Sequence, residues 1–295
     1  MKDFIVTEFY KHSRFAENFA PSQENIRHWE LLSNRYDEWL HRTEPVSTPI
    51  PKIIHQIWIG SELPAQYREL GLSWKEKHPG WDYILWDNEK ILSLNPFPAR
   101  EVYLKAKSYG VKSDIARYEI LRQFGGIYAD TDFECVKSFE PLIHKSSFFA
   151  GVIFGNEPGL CNALIGTIPN HSIIVKMCSE TSRKLIKTTE LMDIIELTGP
   201  GLITRTFFQD IDNLPVSDVA LPSQYFYSFP NFAKHDGITQ KEIHSFSTNE
   251  THAIHYWEVS WSKVDFVSWV VRKWNRLLRK LRIKMHKMLH FIHIH

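Results

Sequence analysis

An α/β fold with a largely parallel sheet is predicted by three observations on this 295-residue sequence. Strand-like apolar runs alternate with stretches of helical periodicity from about residue 51 onward, the pattern of strands joined by helical crossovers. Glycines and prolines punctuate the joints between these runs. Hydrophobic residues make up 43% of the chain and charged residues 23%, enough for a real core and far from a disordered or membrane-spanning composition.

The elements follow in order. Trp29, Leu32, Tyr36, Trp39 and Leu40 recur at helical spacing, so residues 1–44 form a helical extension. Pro45, Pro49 and Pro51 make a joint, after which Ile53 to Ile59 reads as a buried strand closed by Gly60. An amphipathic stretch around Leu70 to Trp74 leads to the strand-like Tyr83 to Trp86, and then to helices near 99–109 and 112–124. The second of these stops at Gly125-Gly126 and feeds the short strand Ile127-Tyr128-Ala129. Phe148 to Phe154 is a further strand, 171–187 a helix, Gly199-Pro200-Gly201 a turn opening a helix, and Val219 to Leu221 a strand. The main domain is expected to occupy 45–262, with a separate segment at 263–295.

Charge is unevenly placed. The formal net charge is +1, yet residues 266–295 hold eight Lys or Arg and no Asp or Glu, leaving 27 basic against 34 acidic residues elsewhere. A mildly acidic body argues against nucleic acid as a partner. Three scattered cysteines, Cys135, Cys161 and Cys178, make neither a disulfide framework nor a Cys-x-x-Cys site and point to a reducing compartment. The first twenty residues are charged throughout, with no apolar core of a signal peptide, and no run reaches the roughly 18 apolar residues that span a bilayer.

The chemistry centres on Asp130-Thr131-Asp132. Two carboxylates one residue apart, where a strand ends, can hold one hard divalent cation and leave coordination positions for phosphate oxygens. Taken alone, the same pair also reads as a turn or cap. Upstream, Ser113-Asp114-Ile115-Ala116-Arg117 opens a helix, and the i, i+3 spacing puts Asp114 and Arg117 on one helix face. Without further context these two are a surface ion pair.

The run from Ser113-Asp114-Ile115-Ala116-Arg117 through Gly125-Gly126-Ile127-Tyr128-Ala129-Asp130-Thr131-Asp132 resembles the Asp-x-Asp sugar transferases of glycosyltransferase family 32, a group with yeast initiating mannosyltransferases and bacterial capsule enzymes, and is similar to the glucosylating clostridial toxins. The resemblance extends from about Pro51 to Trp261. It implies a GT-A fold, a Rossmann-like nucleotide-sugar-binding sandwich with added helices, and transfer of a hexose from a UDP-sugar or GDP-mannose with retention of configuration, in surface polysaccharide synthesis. It implies Mn²⁺ or Mg²⁺ on Asp130 and Asp132, with Asp130 also touching the ribose. Asp114 and Arg117 then contact the donor's sugar and phosphates, with Ser113 and Tyr128 beside them. Trp58, in His55-Gln56-Ile57-Trp58-Ile59-Gly60, matches an aromatic beside the base, its plain alternative being a core tryptophan. Asn162, in Gly159-Leu160-Cys161-Asn162-Ala163, resembles an amide contacting the transferred sugar, its plain alternative being a turn residue. Ala253 to Trp261 resembles a closing segment in which Ser260 and Trp261 fold over the diphosphate. His255 is a third metal ligand in this picture, with Glu258 its rival. Gly199-Pro200-Gly201 either shapes the acceptor side or is a simple turn. Catalysis rests on the metal and electrostatics, since no protein nucleophile is identified.

From Val267 onward, apolar residues at helical spacing are interleaved with Arg272, Lys273, Arg276, Arg279, Lys280, Arg282, Lys284 and Lys287, a basic amphipathic helix suited to an anionic membrane surface or to docking on protein. A membrane-bound position suggests a lipid-linked saccharide acceptor on the cytoplasmic leaflet. Two other readings stand beside this one: a toxin-like effector glycosylating a protein, and a metal-dependent phosphohydrolase. A third, a nucleotide-sugar-binding module without turnover, is disfavoured by the joint presence of Asp114, Arg117, Asp130, Asp132 and Ser260-Trp261.

Overall fold

The computed structural model describes residues 23–153, 158–183, 188–229 and 239–258. Ser260, Trp261 and the basic segment from 263 onward lie outside the described residues. Among the described residues no helix is long and apolar enough to cross a membrane.

The first helix, α1 (Gln23–His41), buries Trp29, Leu32, Tyr36 and Trp39, while Leu40 in its last turn is exposed. Polar contacts fasten the same face. Arg35 donates to the carbonyls of Ile211, Leu214, Pro215 and Asp218, and Trp39 Nε1 donates to Ser146 Oγ at 3.0 Å. Strand β1 (Ile53–Ile57) follows, then α2 (Ala65–Lys77), β2 (Asp82–Trp86) and the short α3 (Asn88–Leu92).

The helix expected near 99–109 is shorter, α4 (Arg100–Lys105), because Ser108 caps the next helix, its hydroxyl accepting from the N–H of Gly110. That next helix, α5 (Tyr109–Phe124), is buried through its middle from Asp114 to Leu121 and ends at Gly125, φ 62°. Gly126 follows at φ 88°, and a Cβ there would meet the carbonyl oxygen of Ile53 at 2.6 Å. Only glycine lets the chain enter β3 (Gly126–Ala129) so close to β1.

Downstream come β4 (Phe133–Cys135), α6 (Glu140–Lys145), β5 (Phe148–Ile153), β6 (Gly159–Thr167), α7 (Ser172–Arg183), α8 (Leu191–Leu197), α9 (Pro200–Asp210), β7 (Asp218–Leu221), α10 (Gln240–His244) and β8 (Ala253–His255). The sheet order is β2-β1-β3-β6-β5-β7, and β4 pairs with β8 in a separate two-stranded ladder. The expected largely parallel sheet is found, with one strand reversed. β6 runs antiparallel to both β3 and β5, whereas β1–β2, β1–β3 and β5–β7 are parallel. The few residues between Ile153 and Gly159 permit only an antiparallel return, since a parallel crossover needs a dozen or more. This mixed α/β sandwich agrees with the GT-A architecture expected above.

Candidate active site

β3 ends at Ala129 and β4 begins at Phe133, so Asp130-Thr131-Asp132 is the turn that joins the main sheet to the small ladder. Its backbone is pinned from three sides. Asp130 N–H donates to the Ala163 carbonyl at 2.8 Å, the Gln56 amide donates to the Asp130 carbonyl at 3.1 Å, and Tyr256 N–H donates to the Asp132 carbonyl at 3.0 Å.

The two carboxylates face different partners. Asp130 Oδ1 accepts from the Tyr128 hydroxyl at 2.6 Å and pairs with Arg117 at 3.1 Å. Arg117 also reaches Asp114 at 3.3 Å, donates to the Asn162 carbonyl at 2.8 Å, and lies over the Tyr128 ring at 4.5 Å. Asp114 and Arg117 are each 5% exposed, so the surface ion pair suggested by their spacing is a buried one. Burial pushes the Asp114 and Asp130 carboxyls up, and the Arg117 charge only partly opposes it. Burial also works against the charge on Arg117, but Asp130, then Tyr128 and Asp114, outweigh it and keep the guanidinium protonated.

Asp132 points to the other side. Its Oδ2 lies 3.2 Å from His255 Nε2 and accepts from the Glu258 backbone N–H at 2.7 Å. Burial acts to raise its pKa, yet the His255 charge, the His255 hydrogen bond and the Glu258 amide together hold the carboxyl below the usual range. The imidazole is stacked on Phe133 at 4.3 Å and flanked by Trp257 at 4.2 Å. Trp257 has φ 55°, a left-handed conformation that bulky residues rarely take, held here by its indole N–H on the Phe229 carbonyl at 2.7 Å.

The donor atoms of Asp130, Asp132 and His255 all lie within 4.8 Å of one another. Two carboxylate oxygens and one imidazole suit an oxygen-preferring divalent cation such as Mn²⁺ or Mg²⁺. Buried His255 Nδ1 has no hydrogen-bond partner among the described residues, so the polar demand of this group is not met by protein alone. Glu258 meets Asp132 through its backbone, and His255 rather than the Glu258 side chain joins the grouped donors.

The other described candidates are Trp58, Asn162 and Ser113. Trp58, at the carboxyl end of β1, is partly exposed rather than a core tryptophan. It packs at 5.0 Å on Tyr67 and lines a cavity of about 680 Å³ with Gly60, Ser61, Asp87, Asn88 and Ser93. Asn162 sits within β6, not in a turn, and its amide donates to Asp114 Oδ1 at 2.8 Å. Ser113 meets Arg117 only through its carbonyl, at 3.4 Å. Sequence reasoning missed Gln56, Thr198 and Tyr118, as well as Asp87 and Asn88. The last two follow a strand-like run directly, a position that favours ligands in α/β sheets. The others carried no local signal.

Comparison with known proteins gives the following. A family model described as "Glycosyltransferase sugar-binding region containing DXD motif" matches residues 64–149. An uncharacterized glycosyltransferase of Acanthamoeba polyphaga mimivirus is 31% identical over 179 residues, which are 58% of this chain and 70% of the viral protein. Inositol phosphoceramide mannosyltransferase 1 of Schizosaccharomyces pombe is 32% identical over 145 residues, or 45% of this chain, and the match spans less than half (43%) of the yeast protein. Among solved structures, PaToxG glycosyltransferase aligns with a TM-score of 0.47 at 21% identity, over 64% of this chain and 78% of that one.

Proposed function

The chain belongs to the glycosyltransferases whose sugar-binding region contains a DXD motif, and on that premise we propose that it transfers a hexose from a UDP-sugar or GDP-mannose, with retention, to a saccharide or lipid-linked acceptor. The convergence of Asp130, Asp132 and His255 within 4.8 Å carries this reading. A lipid-type acceptor is supported by the fungal relative, whose name assigns it to inositol phosphoceramide.

In this reading Asp130, Asp132 and His255 hold Mn²⁺ or Mg²⁺, which supplies Lewis-acid stabilisation of charge on a departing nucleoside diphosphate. Arg117 contributes a fixed positive charge beside Asp130, already oriented by Asp114, Tyr128 and the Asn162 carbonyl, so no side-chain ordering is needed when the donor's anionic groups arrive. Trp58 presents a partly exposed ring to a cavity of a size that accepts a nucleoside. Asp114 and Asn162, both buried, provide the polar wall for the sugar.

The test is a panel of UDP- and GDP-sugars with Mn²⁺ or Mg²⁺, scored for donor cleavage with and without EDTA, beside Asp132→Ala. Cleavage of one donor is expected, lost in EDTA and reduced by about a thousandfold or more in the variant. Metal-independent cleavage, or an unaffected variant, would overturn the reading.

A further inference from the structure

Resting on the transferase reading above, we propose that Thr198 is a positioning residue of the sugar pocket, holding Asp114 and Asn162 as a wall of hydrogen-bond acceptors through a closed ring of four hydrogen bonds. The ring runs through four buried side chains from three separate elements. Asn162 Nδ2 donates to Asp114 Oδ1 at 2.8 Å and to the Tyr118 hydroxyl oxygen at 2.8 Å. The Tyr118 hydroxyl donates in turn to the Thr198 carbonyl. Thr198 Oγ1 closes the ring by donating to Asp114 Oδ2 at 2.7 Å.

Proton bookkeeping gives the ring a single direction. An ionised carboxylate and a carbonyl only accept, so the donors must be Asn162, Tyr118 and Thr198. Both amide protons of Asn162 are committed, and the amide cannot be turned round without setting its oxygen against a carboxylate. The one proton of Tyr118 is committed to a carbonyl, and the one proton of Thr198 goes to the charged Asp114 oxygen at 2.7 Å rather than to the Ile194 carbonyl, which lies farther off at 3.2 Å. Burial, which pushes the Tyr118 phenol far above its ordinary range, keeps that proton in place.

What the ring leaves for a ligand is therefore of one kind. Asn162 keeps its side-chain oxygen as an acceptor. Asp114 Oδ1 already takes Asn162 and Arg117, whereas among the described residues Oδ2 takes only Thr198 and retains a lone pair. A wall that only accepts recognises groups that donate, namely the hydroxyls of the transferred sugar. Thr198 is fully buried where α8 gives way to the Gly199-Pro200-Gly201 turn, so that turn serves the donor side by delivering the Thr198 hydroxyl and carbonyl to the ring. Thr198 acts through Asp114 and is not itself a catalytic residue.

The experiment titrates the full chain in Mn²⁺ with UDP-glucose, GDP-mannose, UDP and GDP, comparing wild type with Thr198→Val and Thr198→Ser. Valine keeps the shape and removes the hydroxyl, while serine restores it. The expected result is that Thr198→Val binds the preferred nucleotide sugar about tenfold more weakly but the matching nucleoside diphosphate within about twofold of wild type, and that Thr198→Ser binds both normally. The bare nucleotide is the control for folding, since a damaged pocket loses both. Undiminished sugar-nucleotide affinity in Thr198→Val, or equal weakening of nucleotide and nucleotide sugar, overturns the ring. Wild-type protein that binds none of the four overturns the transferase reading itself.

Discussion

Asp114 and Asp132 are both buried carboxylates of one site, 5% exposed each, yet their surroundings differ in kind. Asp114 sits among α5, β6 and the end of α8, where Asn162, Thr198 and Arg117 all donate to it. Asp132 sits at the β4–β8 ladder, where its partners are a backbone amide and a histidine whose second ring nitrogen is buried without a partner among the described residues. The first region satisfies its own polar groups with protein donors. The second gathers more acceptors and titratable groups than donors, which is the composition of a cation site. The polar needs of the first region are thus met within the fold, while those of the second are not met by the described residues alone.

The largest test of this contrast is stability. Arg117→Met leaves buried Asp114 and half-buried Asp130 without their shared cation, and is expected to cost about 3 kcal/mol in urea unfolding. Asp132→Asn is expected to cost about 1 kcal/mol or less in the same measurement, because the amide oxygen of the replacement can still accept from the Glu258 N–H. Equal costs would erase the distinction between the regions.

A smaller effect sharpens it through pH. His55 underlies the first region, its Nε2 donating to the Gly125 carbonyl at 3.0 Å and its Nδ1 accepting from Trp86, and burial pushes its pKa down to about 4. His252, entering β8, is likewise lowered to about 4 by burial and the Lys137 charge. Both rings are neutral when folded and protonate near pH 6.5 when unfolded, so the unfolded chain binds more protons between those values. Stability is full above about pH 6.5 and falls as pH drops toward 4, by up to about 3 kcal/mol for each ring. Melting temperatures across that range check it, and His55→Gln should flatten the slope by about half.

The smallest effect concerns the cavity beyond both regions. Trp58→Ala is expected to weaken UDP or GDP binding in Mn²⁺ by about tenfold, the loss of one aromatic face, with little change in unfolding free energy because the ring is partly exposed. Weakening of the bare nucleotide here, against its retention in Thr198→Val, separates the base end of the donor from the sugar end.

Legibility along the chain followed the range of each interaction. Gly125-Gly126 and the carboxylates that follow were readable because a turn at a strand end is a local event. The reversal of β6 was not, since the antiparallel return follows only once Gly159–Thr167 is known to pair as a strand, which is settled by its distant neighbours β3 and β5. The surface ion pair suggested for Asp114 and Arg117 failed for a related reason. Helical spacing says which residues share a face but not whether β6 and α8 cover it.

The sequence by itself determined the alternation of strands and helices, the Asp-x-Asp turn at the end of β3, and the face shared by Asp114 and Arg117, all consequences of periodicity and turn chemistry within about twenty residues. Tertiary structure alone decided the rest. It set His255 of β8 against Asp132, 123 positions earlier, through the pairing of Phe133 with His255 across the two strands. It also brought Thr198 to Asp114 across 84 positions, setting the cap of α8 against a buried face of α5. Buried polar groups must find partners wherever the fold supplies them, and no local pattern records which distant residue that will be.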